Sequence, residues 1–171
     1  YFFNGGDETV FEGEERILIP SPRDVDTYDK KPAMSAVKVA DKVCEKIADS
    51  RFDFIILNFA NMDMVGHTGI LDAAIQACQT VDQCVKQVVT AIWATGGTAL
   101  VTADHGNSEQ MFADDGSPHT AHTLNPVYLI AAGNTCKGSA LKDGILGDIA
   151  PTILDILNIE QPAEMTGTSL I

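Results

Sequence analysis

The hydrophobic positions of the chain change period several times along its length. In "AVKVADKVCEKIADS", Val37, Val39/Ala40, Val43/Cys44 and Ile47 recur at near-helical spacing, which predicts a helix from about Met34 or Ser35. Arg51 to Phe59 is a continuous apolar run instead, the pattern of a strand buried on both faces. From about Ile70 to Thr95 the helical period returns, with Ile75, Cys78, Val81/Asp82, Val85, Val88/Val89 and Ile92 marking an apolar stripe. The glycines of "ATGG" then supply the stop. "TALVTAD" and "NPVYLIAAG" read as two further buried strands. "RILIP" reads as another, before a loop rich in Pro and Asp, and "YFF" as the tail of a strand running into a Gly-Gly turn. "LGDIAPTILDILNI" is a closing helix, with Pro151 in the first turn, where its missing N–H does no harm. Strands alternating with helices predict an α/β fold, a mostly parallel sheet flanked by helices on both faces.

Composition narrows the function. The 171 residues suffice for one domain with a real core, and 45% hydrophobic with 20% charged residues is ordinary for a soluble globular protein. No apolar run approaches the roughly 20 residues of a membrane span. The start has no initiator Met and no signal-peptide pattern, so the chain is expected to begin inside a larger protein. A net charge of −13 repels nucleic acid and anionic membrane, which excludes both as expected partners. It still allows an anionic substrate, provided bound cations supply local positive charge. Cys44, Cys78, Cys84 and Cys136 show no CxxC pairing and read as free thiols in a reduced, cytosolic compartment.

The candidate chemistry sits at strand ends, where open α/β sheets gather their ligands. "NFANMDMVGHTG" gives Asp63 and His67 just after one predicted strand. "TADHGN" gives Asp104 and His105 just after another, and "HTAHTLNPV" gives His119 and His122 just before a third. All the histidines of the chain lie in these three places. Asp and His are the side chains of a catalytic divalent site, and mixed His/Asp ligation favours manganese or zinc over calcium or magnesium. Asp104 and His105 are adjacent and would point apart on a straight strand, so the backbone must turn there, and Gly106 is read as allowing it. Taken singly, a D-x-x-x-H pair is more often a surface ion pair, and His119 more often an exposed loop histidine. Their clustering is what favours a metal site.

These motifs resemble those of the cofactor-independent phosphoglycerate mutases, which belong to the alkaline phosphatase superfamily. "FFNGG", "EERILIPSPRDVDTYDKKPAMSA" and "LGDIAPTILDILNIEQPAEMTGTSLI" resemble further segments of that family in the same order, so the resemblance covers nearly the whole chain. It implies an alkaline-phosphatase-like α/β fold, incomplete at the N-terminal side. Residues 1–171 would be the C-terminal part of the metal-binding phosphatase-like domain, lacking the inserted substrate domain and the N-terminal strands. It implies two divalent ions, usually manganese, with magnesium, cobalt or zinc as alternatives. Asp63, His67 and His122 would bind one ion, and Asp104 and His105 the other. His122 is preferred to His119 because it stands directly before "T-x-N-P-V".

The family completes the second site with an Asp and a nucleophilic Ser near its N-terminus. No serine of this chain stands in that context, so no catalytic residue is assigned within it and the chain alone is expected to be inactive. The implied reaction interconverts 3-phosphoglycerate and 2-phosphoglycerate through a phosphoserine, a step of glycolysis and gluconeogenesis in the cytoplasm, in a parent enzyme that is usually a monomer. Met62, Tyr128 and Arg23 depart from the usual family residues, and none removes a ligand. The competing readings are another phosphomutase or phosphatase of the same superfamily, and an inert chain acting as a folding or assembly partner.

Overall fold

The structure is a computed structural model and describes residues 2–133 and 140–171. Its regular elements are α1 (Ala36–Ala48), α2 (Asn61–Gly66), α3 (Leu71–Ala94), β1 (Thr98–Val101), β2 (Ile130–Gly133) and α4 (Ile149–Ile156), with short 3₁₀ turns at Phe2–Asn4, Tyr28–Lys30 and Leu146–Asp148.

The helices follow the hydrophobic period, but small residues form the contact. On α1 the buried residues are Ala36, Ala40 and Ile47, while Val37 is exposed. On α3 they are Ala73, Ala74, Ala77 and Cys84, and Ile75, expected in the stripe, faces water. Alanines on the contact face let helix backbones approach closely. Ala36 and Ala40 of α1 pack with Cys84 of α3, joined by Phe59 and Val88. Val65 of α2 packs with Ala73 and Ala77, joined by Tyr28 and Met34. Thus α3 is the spine on which α1 and α2 rest.

Ser35 precedes α1 without capping it; its hydroxyl instead donates to the Pro20 carbonyl at 2.7 Å and ties the helix start to the preceding loop. The far end of α3 closes as expected. Gly96 takes φ +78°, and the N–H groups of Gly96 and Gly97 donate to the carbonyls of Trp93 and Ile92. This is a Schellman arrangement, and it needs the left-handed residue that glycine supplies. Pro151 lies buried in the first turn of α4.

The sheet differs from the sequence reading. Among the described residues, β1 and β2 form one antiparallel ladder, Thr98 opposite Gly133 and Val101 opposite Ile130. The stretches read as strands at 16–20 and 51–59 enter no ladder. An apolar run specifies a tendency to extend, but a strand exists only where a neighbour takes up its N–H and C=O groups. Residues 51–59 find no such neighbour here, and Phe54 and Ile56 stay about half exposed. "YFF" is not the end of a strand either: Phe2–Asn4 form a 3₁₀ turn that runs into Gly5 and Gly6, both at positive φ. Tyr1, Cys136 and Ser139 lie outside the described residues.

Cys44, Cys78 and Cys84 are free thiols. Burial pushes all three thiols up, which keeps them protonated and unreactive. Among the described residues no helix is long and apolar enough to cross a membrane.

Candidate metal centre

The sequence reading put Asp63 and His67 just after a strand, and the structure sets them on a short helix that follows residues 51–59. Asp63 is in the first turn of α2 and His67 is the residue that closes its C-terminus, with the His67 N–H donating to the Asp63 carbonyl at 3.1 Å. Residues four apart on a helix share a face, so the D-x-x-x-H spacing brings His67 Nε2 within 3.1 Å of Asp63 Oδ1. The helix has six residues, too short to betray itself by period.

Two other segments converge on the same carboxylate. His122 Nε2 lies 2.9 Å from Asp63 Oδ1 and 3.1 Å from His67 Nε2. His105 Nε2 lies 3.9 Å from Asp63 Oδ1, and its ring stacks on that of His122 with centroids 3.6 Å apart and planes 18° from parallel. Ligand atoms of Asp63, His105 and His122 all fall within 4.8 Å of one another, close enough to share a cation. Asp104 sits at the rim, its side chain 80% exposed and Oδ1 3.6 Å from His105 Nε2. The structure therefore brings four of the expected residues into one cluster, with Asp104 at its edge. It draws His105 toward Asp63 and His122 rather than away with Asp104. His119 stands outside: among the described residues its buried Nδ1 has no hydrogen-bond partner.

The donor set suits a divalent ion. His67 Nδ1 lies 2.6 Å from the Thr120 carbonyl, which can only accept, so Nδ1 carries the proton and Nε2 turns its lone pair inward. Asp63 Oδ1, also an acceptor, is approached by the Nε2 atoms of His67, His105 and His122. Inward lone pairs around one carboxylate oxygen repel each other unless a proton or a cation lies between them. A divalent cation would satisfy them together.

Gly106 serves a different purpose from the one expected. Its backbone is not left-handed. A side chain there would put a Cβ 2.1 Å from Thr123 Oγ1, so glycine permits the bridge in which Thr123 N–H donates to the Gly106 carbonyl at 2.9 Å. That bridge carries His105 and His122 side by side.

Sequence reasoning missed Asn107 and Glu109, which follow directly on the "DHG" it singled out. Asn107 Nδ2 donates to Asp63 Oδ1 at 2.9 Å. Glu109 accepts hydrogen bonds from the Thr123 hydroxyl, from Asn125 Nδ2 at 2.9 Å and from the Asn107 N–H at 2.6 Å. Desolvation works to raise its pKa, but these hydrogen bonds outweigh it and hold the carboxyl at about 2. Sequence reading also missed a groove lined by Ser21, Arg23, Asp24, Lys31, Ser35 and Lys38, in which three cationic side chains face one carboxylate on an otherwise acidic protein.

With this geometry in place, the chain's kinship is clear: residues 1–161 match the metalloenzyme superfamily, and the chain belongs to it. Within that class it is 56% identical over 171 residues to the 2,3-bisphosphoglycerate-independent phosphoglycerate mutase of Syntrophotalea carbinolica, and 57% identical over 171 residues to that of Moorella thermoacetica. Each alignment takes in the whole chain but 33% of the relative, so the chain spans about a third of the length of the curated relatives it matches. The crystal structure of Leishmania mexicana phosphoglycerate mutase at low cobalt concentration matches with a TM-score of 0.88 and 30% identity, over 99% of this chain and 34% of that one. The fold of this chain is thus that of a segment of a phosphoglycerate mutase.

Proposed function

We propose that this chain forms the larger part of the metal centre of a phosphoglycerate mutase that interconverts 3-phosphoglycerate and 2-phosphoglycerate without 2,3-bisphosphoglycerate. The observation that carries this reading is the convergence of Asp63, His67, His105 and His122 in a chain 56% identical to such mutases. Asp63, His67 and His122 would hold one divalent ion, and Asp104 and His105 would contribute to a second, with His105, here turned toward Asp63, swinging to Asp104 when both ions are bound and manganese being the preferred metal. The Leishmania relative was crystallised at low cobalt concentration, which is in keeping with a divalent transition metal without selecting manganese. When bound, such ions neutralise phosphate charge and lower the pKa of an attacking hydroxyl.

The chain's own residues have defined tasks in this scheme. His67 keeps its Nε2 lone pair available through the bond to Thr120. Arg23, Lys31 and Lys38 offer positive charge to an anionic substrate, though Lys31 already pairs with Asp24 at 2.8 Å. The nucleophilic serine and the groups that grip phosphoglycerate would come from the remaining two-thirds of a full-length mutase, to which this chain corresponds as the C-terminal part of the phosphatase-like domain. In that larger protein residues 51–59 would gain strand neighbours and join β1 in the wider, mostly parallel sheet.

The test is an enolase-coupled mutase assay on the chain alone with manganese and without 2,3-bisphosphoglycerate. The expected result is no turnover alone, and turnover once the missing portion is supplied. Turnover by the chain alone, abolished by Asp104→Ala, would locate the nucleophile within these residues and overturn the division of labour. A second reading, an inert chain acting as an assembly partner, draws on the exposed Phe54 and Ile56 beside unpaired backbone. It requires that the supplied portion leave the mixture inactive.

A further inference from the structure

Three consecutive side chains after "DHG" reach three different places. Asn107 crosses to Asp63, as described, from a residue only 5% exposed. Ser108 Oγ donates to the Met62 carbonyl at 2.5 Å. Glu109 turns the other way, to Thr123 and Asn125, and so grips the segment that directly follows His122. The tripeptide therefore touches both other ligand-bearing segments, α2 on one side and residues 122–125 on the other.

The Asn107 amide bears a cost that needs a reason. Its Oδ1 is buried and has no hydrogen-bond partner among the described residues. The oxygen fits only because residue 66 is glycine: a Cβ there would lie 2.2 Å from it. An orphaned buried acceptor is costly, so an apolar residue at 107 would be the better choice for stability alone. The amide's donor half supplies the reason, since it fixes the plane of the Asp63 carboxylate. A neutral amide does this without competing for a cation. Glu109, for its part, is not free to act as a ligand. Its oxygens are taken by Asn107 N–H, Thr123 and Asn125, and as a carboxylate near pKa 2 it stays ionised at neutral pH.

We propose that Asn107 and Glu109 are positioning residues of the metal centre, Asn107 setting the orientation of Asp63 and Glu109 setting the distance of His122 from it. The inference rests on the metal-centre reading above. Manganese binding to the full-length mutase formed when this chain is joined to the portion it lacks is measured by calorimetric titration and by electron paramagnetic resonance, beside thermal melting of the metal-free form. The set is wild type, Asn107→Ala, Glu109→Gln, Gly66→Ala and, as a control on the distant hydrogen bond between α3 and α1, Gln87→Ala.

Asn107→Ala and Glu109→Gln are expected to bind manganese roughly 10- to 100-fold more weakly. Their resonance lines broaden as the ligand geometry disperses, and their metal-free melting moves by no more than about 3 °C. Gly66→Ala reproduces the Asn107 defect with the amide still present, and Gln87→Ala binds like wild type. Wild-type affinity in both Asn107→Ala and Glu109→Gln overturns the proposal. If Asn107→Ala does not fold, Glu109→Gln alone decides. Absence of binding by wild type sinks the metal-centre reading itself, a result distinct from loss in the variants.

Discussion

Which nitrogen of a histidine can bind a cation is decided by what the other nitrogen holds. His67 spends Nδ1 on the Thr120 carbonyl and keeps Nε2 for the site. His122 presents Nε2 to Asp63 at 2.9 Å, whereas His119 turns a buried, unpartnered Nδ1 elsewhere. His122→Ala is therefore expected to weaken manganese binding far more than His119→Ala. Equal losses in calorimetric titration would reject this choice of ligand. The ligand candidates were legible in the sequence because Asp and His carry their chemistry in their identity, and three motifs contained every histidine. Asn107 and Glu109 were not legible. An amide and a carboxylate after a turn look like ordinary surface residues until the fold buries one and surrounds the other with donors.

At the scale of elements, the end of the chain is clasped onto α4. Asp148 Oδ2 accepts from the Ile145 N–H at 2.9 Å and Oδ1 from the Thr168 N–H at 2.8 Å, which holds its carboxyl below the usual aspartate range. Thr152 Oγ1 donates to the Asp148 carbonyl and accepts from the Leu170 N–H, and the Lys142 N–H reaches the Leu170 carbonyl. A carboxylate with a depressed folded-state pKa stabilises above its unfolded pKa of about 3.9, and that contribution fades as pH falls through the lower folded value. Asp148→Asn should therefore lower the melting temperature at pH 7 and leave it closer to wild type near pH 3. A pH-independent difference would assign the loss to packing instead. The helices α1, α3 and α4 were legible because a 3.6-residue period records which face is buried. α2 was too short for a period, and the strand at 51–59 was over-read because strand pairing depends on a partner that periodicity does not encode.

At the scale of the whole molecule, the chain carries exposed apolar residues beside unpaired extended backbone: Leu18 is 91% exposed, Phe54 50% and Ile56 55%. Such edges accept other chains. A net charge of −13 opposes close approach but leaves the backbone groups unsatisfied. The 171-residue chain alone is expected to aggregate or remain partly ordered. Gel filtration with calorimetry checks this, and a sharp, cooperative melt of monomeric material would contradict it.

The short helix α2 has one more consequence. Asp63 and His67 stand at either end of a single turn, joined by the backbone bond from His67 N–H to the Asp63 carbonyl. When that turn frays, both side chains lose their shared backbone support at once, while Asn107 and Thr120 still hold the carboxylate and the ring. An ion held there would then have the support of two of its proposed ligands loosened in one event rather than in succession.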